Sequence, residues 1–299
     1  MKELVILSGK GGTGKTSLTA AFAGLSQNMM LCDTDVDAAD LHLLMAPEIK
    51  ETFDFVGGNQ AIIDPEKCVA CGLCKALCRF NAVIEHTNPL SFTIDGIDCE
   101  GCGVCVDLCP EKAIDFPRKT CGQWFVSDTR FGPMIHARLG IAEENSGRLV
   151  ALIREETRNR VRKQHLNLIL TDGPPGIGCP VIASMGQANC ILIVAEPTVS
   201  GIHDMKRVAQ LAAHFKIPAM VCVNKFDLNP DQGLAIEQIA RDNNIRSVGR
   251  IPFDPNFTQA MIQGKTILET HENSDASQAI RKIWQTIMEN PVMKQERIL

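Results

Sequence analysis

The chain has 299 residues, and its 30 Lys and Arg side chains against 35 Asp and Glu give a formal net charge of −5 at pH 7. Hydrophobic residues make up 45% of the sequence, which excludes disordered and fibrous proteins. The slightly acidic balance argues against a nucleic-acid surface, and no apolar run approaches the roughly 20 residues of a membrane span. Because the N-terminus lacks a signal-peptide pattern, we expect a cytoplasmic protein.

Short apolar segments alternate with segments of helical periodicity through most of the chain. We predict strands at residues 3–8, 29–33, 166–171, 191–195, 219–223 and 246–249. Helices are predicted at residues 15–26, at 201–215 with Ser200 as N-cap, and at about 277–289. This order of elements indicates an α/β fold, with a parallel sheet covered by helices on both faces.

A glycine-rich segment between the first strand and the first helix fits the phosphate-binding pattern G-x4-G-K-[ST]. Its glycines let backbone N–H groups close around phosphates, and the helix N-terminus adds its dipole. Lys15 would neutralise the β- and γ-phosphates, and the Thr16 hydroxyl would coordinate Mg²⁺. We expect the nucleotide to contact Gly9, Gly11, Gly12, Thr13, Gly14, Lys15, Thr16 and Ser17.

Eight of the 13 cysteines lie in two runs of the form C-x2-C-x2-C-x3-C. The first run is Cys68, Cys71, Cys74 and Cys78, and the second is Cys99, Cys102, Cys105 and Cys109. A secreted disulfide scaffold and a zinc site are the alternatives to an iron–sulfur site. The missing signal peptide argues against the first, and the third cysteine of each run is surplus for zinc.

The two runs belong to an internal repeat with an offset of 31 residues. Residues 63–68 align with 94–99, and Ala82-Val83 align with Ala113-Ile114. The repeat indicates a duplicated insert, so we predict one α/β domain at 1–59 and 118–299 that is interrupted by a small domain at 60–117.

The insert resembles a bacterial ferredoxin with two [4Fe–4S] clusters and an α+β fold. In ferredoxins the fourth cysteine of each run binds the other cluster. The resemblance implies that one cluster takes Cys68, Cys71, Cys74 and Cys109, and the other takes Cys99, Cys102, Cys105 and Cys78. One departure is that Arg79 follows Cys78 where ferredoxins have proline.

The segment K-G-G-T-G-K-T at residues 10–16 resembles the deviant Walker A motif of the MinD/ParA/Mrp ATPases and the nitrogenase iron protein, which have a P-loop NTPase fold. In these proteins the extra lysine, here Lys10, reaches the phosphates of the partner subunit. The resemblance therefore implies a homodimer, or a heterodimer with a related ATPase, in which dimerisation and hydrolysis are coupled.

Further acidic residues match positions of that superfamily. By the resemblance Asp33 would orient or deprotonate the attacking water, and Asp35 or Asp37 would lie near Mg²⁺. Asp172 closes a hydrophobic strand, as the Walker B aspartate does, and would hold a Mg²⁺-bound water. The Gly176 N–H would sense the γ-phosphate.

The base-binding residues are less specific to one nucleotide. Asn224, Lys225 and Asp227 satisfy the N-K-x-D pattern with which many GTPases bind guanine, whereas MinD-type ATPases contact adenine from this asparagine. Pro252 and Asp254 match a late segment that packs near the base. The deviant loop favours ATP over GTP.

Taken together, the chain resembles the ferredoxin-containing MinD-superfamily ATPases of anaerobes, including at residues 132–139 and 144–147. The function we expect is an ATPase that couples nucleotide-dependent dimer switching to electron transfer, with a redox or iron–sulfur protein as partner. An Mrp-type carrier or scaffold for iron–sulfur clusters and a redox-sensing, MinD/ParA-like positioning switch are the alternatives.

The remaining cysteines and a basic segment carry weaker signals. Cys179 stands about seven residues after Asp172, the same sequence separation as between the Walker B aspartate and a cluster-binding cysteine in the nitrogenase iron protein. The simpler interpretation is that Cys179 serves as a small apolar residue. Core positions are expected for Cys32, Cys190 and Cys222. A solvated helix face is expected for Arg154, Arg158, Arg160, Arg162 and Lys163.

Overall fold

The computed structural model describes residues 1–140 and 145–294, so Glu144, which the family resemblance included, lies outside the described residues. The chain divides into two units by its contacts. The first contains Met1–Phe53, Trp124–Arg138 and the chain from Ser146 onward. The second contains Asp54–Gln123 and a short segment that begins at Leu139.

The described residues form thirteen strands and twelve α-helices, with a 3₁₀ turn at Phe226–Leu228. The strands are β1 (Lys2–Ser8), β2 (Met29–Asp33), β3 (Glu48–Asn59), β4 (Ile62–Ile63), β5 (Val83–Thr87), β6 (Leu90–Ile94), β7 (Ile114–Asp115), β8 (Arg118–Thr129), β9 (Gly132–Leu139), β10 (Leu168–Pro175), β11 (Cys190–Ala195), β12 (Ala219–Asn224) and β13 (Arg246–Ile251). The helices are α1 (Lys15–Leu25), α2 (Leu41–Met45), α3 (Leu73–Leu77), α4 (Val104–Asp107), α5 (Ser146–Lys163), α6 (Cys179–Met185), α7 (Val199–His214), α8 (Pro230–Asp242), α9 (Asn256–Ile262), α10 (Ile267–Thr270), α11 (Asp275–Met288) and α12 (Pro291–Lys294).

Nine strands form one sheet in the order β13-β12-β11-β1-β10-β2-β9-β8-β3. The pairs from β13 through β9 are parallel. In this register Ile6 lies opposite Asp172, which in turn lies opposite Asp33. Because the carboxyl ends of parallel strands meet at one edge, the polar residues that follow β1, β10 and β2 are brought together there.

Both faces of the sheet are covered, as the alternation of elements predicts. Leu4 and Ile6 of β1 pack with α1 and α11 in one hydrophobic core. Val5 and Leu7, which point the other way, pack with α6, α7 and α8 in a second core. The predicted α/β fold with a mainly parallel sheet is confirmed.

Several predicted boundaries differ from the structure. Helix α7 is capped by Thr198, whose extended backbone lets its Oγ1 accept the Gly201 N–H at 2.9 Å, so Ser200 lies inside the first turn. Helix α11 begins two residues earlier than predicted because the Ser274 side chain caps it. Strand β10 continues through the Asp-Gly-Pro-Pro segment to Pro175.

The basic segment of α5 is not a uniformly solvated face, so that prediction was wrong for Arg154. Arg154 is 4% exposed and binds the buried Glu3 carboxylate together with Arg158. The four N–H···O contacts between these guanidinium groups and Glu3 span 2.6–3.1 Å. Since the partner lies at the start of β1, about 150 residues away, the local sequence pattern could not reveal it.

The second unit contains two small antiparallel pairs, β4 with β7 and β5 with β6. Ile63 lies opposite Ile114, and Ile94, the repeat equivalent of Ile63, lies opposite Val83. Helices α3 and α4 are also equivalent by the 31-residue offset. The left-handed residues occur in matching pairs, Ala70 with Gly101, Gly72 with Gly103 and Asn81 with Lys112. The backbone therefore follows the same path twice, which confirms the repeat.

We expect Arg154→Ala to lower the free energy of unfolding by about 3 kcal/mol, because it removes a hydrogen-bonded partner from the buried Glu3 carboxylate. Urea denaturation of the anaerobically purified protein measures the change. Arg281→Ala is the control, since its ion pair with Glu272 is exposed, and should change the value by less than about 0.5 kcal/mol. Equal effects of the two substitutions would contradict the structural role of Arg154.

Candidate functional site

The glycine-rich loop joins the end of β1 to the first residue of α1, Lys15. Gly12 and Gly14 have left-handed backbones, with φ of 80° and 88°. A Cβ atom on Gly14 would lie 2.4 Å from Nδ2 of Asn224, which donates a hydrogen bond to the Thr13 carbonyl at 2.7 Å. The loop thus requires glycine at Gly14 for both conformation and space.

Lys15 lies among carboxylates at the edge of the sheet. Its Nζ is 2.9 Å from Asp35 Oδ2 and 3.7 Å from Asp172 Oδ2, and all three side chains are buried. Burial alone would lower the pKa of the Lys15 ammonium, but the charges of Asp172 and Asp35 outweigh it and raise the pKa. Lys15 is therefore a cation held in place by carboxylates at this edge of the sheet.

Asp172 accepts two hydroxyl hydrogen bonds, from Thr16 Oγ1 at 2.7 Å and from Thr19 Oγ1 at 2.9 Å. Burial raises the pKa of Asp172, while Lys15 and the two hydroxyl groups oppose that shift. The Thr16 hydroxyl and the Asp172 carboxylate, which were assigned to Mg²⁺ and its water, are thus in direct contact.

Asp33 is buried at the end of β2, and its Oδ1 accepts the Asp35 N–H at 3.1 Å. Burial and the nearby Asp172 charge raise the pKa of Asp33 well above its usual range. Among the described residues, Asp33 Oδ2 and Thr13 Oγ1 are the buried side-chain nitrogen or oxygen atoms that have no hydrogen-bond partner. Unpaired buried polar atoms at a phosphate loop fit a site that binds a hydrated anion and its metal.

The other predicted residues near the phosphates have different positions. Asp37 is the most exposed of these aspartates. The part of its carboxyl group that is shielded from water and the nearby Asp35 charge raise its pKa. The Gly176 N–H, predicted to sense the γ-phosphate, donates to the Ser8 carbonyl at 2.9 Å. In this arrangement that N–H is occupied, so Gly176 would have to move to contact a phosphate.

Glu196 is a site residue that no sequence motif marks, and it directly follows β11 at the same edge of the sheet. Its Oε2 is 3.1 Å from Lys10 Nζ, and its Oε1 pairs with Lys225 Nζ. Lys225 also donates to the Gly12 carbonyl at 3.1 Å. The position of Glu196 after a predicted parallel strand is the signal that could have identified it.

A cavity beside the loop extends toward β13 and α9 and holds most of the predicted base-binding residues. Ser17, Asn224, Lys225, Pro252 and Asp254 line it together with Gly12, Gly14 and two phenylalanines. Asp227 is not in the lining. Its Oδ1 accepts the Phe253 N–H at 2.6 Å.

A second cavity lies in the cysteine-rich unit. Its lining includes Cys68, Cys71, Cys74 and Cys109, the set expected for one cluster. Burial and the charges of Cys68 and Cys71 raise the pKa of the Cys74 thiol. The Ala113 N–H donates to Cys109 Sγ at 3.3 Å.

In the second cysteine run, Cys99 and Cys102 lie near enough to Cys105 for their charges to act on its thiol. Burial and the charges of Cys99 and Cys102 raise the pKa of the Cys105 thiol. The assignment of Cys78 to this group stays a prediction. In the described part of the chain, no three His, Cys, Asp or Glu side chains form a site for a single metal ion. A cubane cluster differs from such a site, since each thiolate binds a different iron around a cube.

The cysteines outside the runs fall into two groups. Cys32, Cys190 and Cys222 are buried in strands, as predicted, and burial raises the pKa of each thiol to about 12. Cys179 is exposed at the first residue of α6, whereas Cys121 is buried. Across residues 1–140 and 145–294, no helix has the length and apolar character needed to cross a bilayer.

Comparisons with known proteins agree with this geometry. The sequence profile of the CobQ/CobB/MinD/ParA nucleotide binding domain matches residues 4–267. An uncharacterized protein of Methanocaldococcus jannaschii is 29% identical over 96% of both chains, and the septum site-determining protein MinD of Bacillus subtilis is 24% identical over 96% of this chain and 89% of its own. The MinD structure with Mg-ADP from Pyrococcus horikoshii matches 96% of both chains with a TM-score of 0.58 and 16% identity, which shows a shared fold.

We expect Gly14→Ala to weaken binding of a nucleoside triphosphate at least about tenfold, because a left-handed alanine is strained and its Cβ meets Asn224. Fluorescence anisotropy of a labelled nucleotide measures the affinity. Gly58→Ala is the matched control, since no atom lies within 4 Å of the added Cβ. Unchanged affinity in Gly14→Ala would show that the loop does not bind phosphates in this conformation.

Proposed function

The chain belongs to the CobQ/CobB/MinD/ParA nucleotide-binding family, and we propose that it is an ATPase whose nucleotide state controls electron transfer through two [4Fe–4S] clusters. The main support for electron transfer is the cavity lined by Cys68, Cys71, Cys74 and Cys109. These four residues come from both copies of the repeat, which is the crossed arrangement of a two-cluster ferredoxin.

The nucleotide chemistry follows from the charges at the loop. Lys15 and the loop N–H groups would bind the phosphates. Thr16 with Asp35 or Asp37 would hold Mg²⁺, and Asp172 would hold a water bound to it. Asp33 is the residue we assign to the attacking water, because its Oδ2 is buried and unpaired among the described residues.

Adenine is the base that the cavity favours. A guanine-specific aspartate must keep its carboxylate free for the base, whereas Asp227 binds the Phe253 backbone and is not in the lining. Asn224, Lys225, Pro252 and Asp254 remain as contacts for the nucleoside. ATP is therefore the proposed nucleotide.

The cysteine-rich unit would bind its clusters through the two sets of four thiolates already named. When bound, such clusters accept and release single electrons. The Ala113 N–H at Cys109 Sγ would stabilise thiolate charge, since hydrogen bonds to cluster sulfurs tune reduction potentials.

Dimerisation links the nucleotide to the rest of the molecule in this proposal. Lys10 would contact the phosphates of the partner subunit, in a homodimer or in a heterodimer with a related ATPase. Residues 34–47 lead from Asp33 to β3, the strand that enters the cysteine-rich unit, so a nucleotide-dependent change at Asp33 has a short covalent path to that unit. A redox or iron–sulfur protein would receive the electron.

Anaerobic protein should contain about eight irons per chain, falling to about four in Cys71→Ser, Cys109→Ser and Cys102→Ser. Because ligation is crossed, Cys71→Ser and Cys109→Ser should lose the same EPR signal, and Cys102→Ser the other. Cys179→Ser, outside both runs, is the control and should keep all iron. A colourless zinc protein, or loss of different signals in Cys71→Ser and Cys109→Ser, would contradict the assignment.

Lys15→Ala should reduce ATP hydrolysis at least about a hundredfold, because it removes the fixed cation at the phosphates. Lys282→Ala, which changes an exposed lysine on α11, should hydrolyse ATP like the wild type.

In competition for a labelled ATP analogue, ATP should displace the probe at least about tenfold better than GTP. Equal displacement by GTP would refute the adenine assignment.

A further inference from the structure

We propose that Glu196 is a positioning residue that holds Lys10 on its own subunit and releases it when the nucleotide-bound dimer forms. This inference rests on the proposed function, because it uses the contact of Lys10 with the partner's phosphates. The Glu196 carboxylate binds two lysines, Lys10 and Lys225, at the edge of the nucleotide site.

Glu196 uses both of its oxygens. Oε2 pairs with Lys10 Nζ at 3.1 Å, and Lys10 Nζ also donates to Ser200 Oγ at 3.5 Å. Oε1 pairs with Lys225, which in turn donates to the Gly12 carbonyl. The carboxylate thus connects the phosphate loop to the segment after β12.

Glu196 is the fixed member of the pair with Lys10. Its own carbonyl accepts the Thr198 N–H at 2.8 Å, and its backbone packs so closely on Gly201 that a Cβ there would lie 2.2 Å from that carbonyl oxygen. The Glu196 side chain is 12% exposed, against 35% for Lys10. A lysine has a flexible four-carbon stem, so Lys10 is the residue that can move away.

The carboxylate is ionised when it holds the lysines. Burial would raise the pKa of Glu196, but its hydrogen bonds and ion pairs with Lys225 and Lys10 lower it overall. A triphosphate carries several charges against the single charge of Glu196, so it is the stronger partner for Lys10 once a second subunit presents it. Glu196 therefore holds Lys10 in the nucleotide-free subunit and releases it to the triphosphate of the partner subunit when the dimer forms.

Neutralising this carboxylate should favour the dimer. A half-exposed ion pair shifts an equilibrium by up to about fivefold, and a symmetric dimer breaks the contact twice. With Mg²⁺ and a non-hydrolysable ATP analogue, Glu196→Gln should lower the dimer dissociation constant of the anaerobic holoprotein by about two- to 25-fold. Sedimentation velocity over a range of protein concentrations measures it.

Two further variants isolate the contact. In a Lys10→Ala background, Glu196→Gln should leave the dissociation constant unchanged, because the residue being held is absent. Glu272→Gln removes an exposed ion pair elsewhere and should match the wild type. A dissociation constant that is unchanged or raised in Glu196→Gln, or an effect that persists without Lys10, would overturn the role of Glu196.

The same measurements distinguish a failure of the proposed role of Glu196 from a failure of the proposed ATPase function. If the wild type binds the analogue and dimerises but Glu196→Gln does so at the same concentration, only the role of Glu196 fails. If the wild type neither binds the analogue nor dimerises with it, the proposed function fails and the role of Glu196 with it.

Discussion

The structure depends on one electrostatic arrangement, a single buried lysine facing three buried aspartates at the carboxyl edge of a parallel sheet. Lys15 offsets part of the negative charge of Asp33, Asp35 and Asp172. Burial is the main cause that raises the pKa of Asp33 and Asp172, and the negative charge of neighbouring carboxylates adds to it. The strand order places β2 beside β10 and β10 beside β1, which holds these groups together. Excess buried negative charge is stabilised by a cation, which fits the Mg²⁺–nucleotide assigned to this edge.

The cysteine-rich unit is organised by a different constraint, the symmetry of its repeat. A segment of about 60 residues buries little core by itself, so such units usually need metals or disulfides for stability. The paired left-handed residues and the matching strand registers place equivalent cysteine loops in equivalent surroundings. In the proposed function, cluster binding therefore contributes to the folding of this unit as well as to its redox chemistry.

Sequence alone predicted the features whose chemistry is local. The phosphate loop needs consecutive glycines between a strand and a helix, and the cysteine runs show their repeat by spacing. The features that were missed or misjudged depend on distant partners. Arg154 is buried because it binds Glu3. The Asp227 carboxylate accepts the Phe253 N–H, and Glu196 pairs with Lys10 of the phosphate loop. Such contacts join segments that no periodicity relates.

A redox titration of the anaerobic holoprotein, followed by EPR with and without Mg²⁺ and a non-hydrolysable ATP analogue, tests the central claim most directly. Typical coupling energies between two sites correspond to a change of about 40–130 mV in the potential of a one-electron centre. We predict a shift in this range for at least one cluster. Potentials that stay the same while the analogue is bound would contradict the coupling of nucleotide to electron transfer.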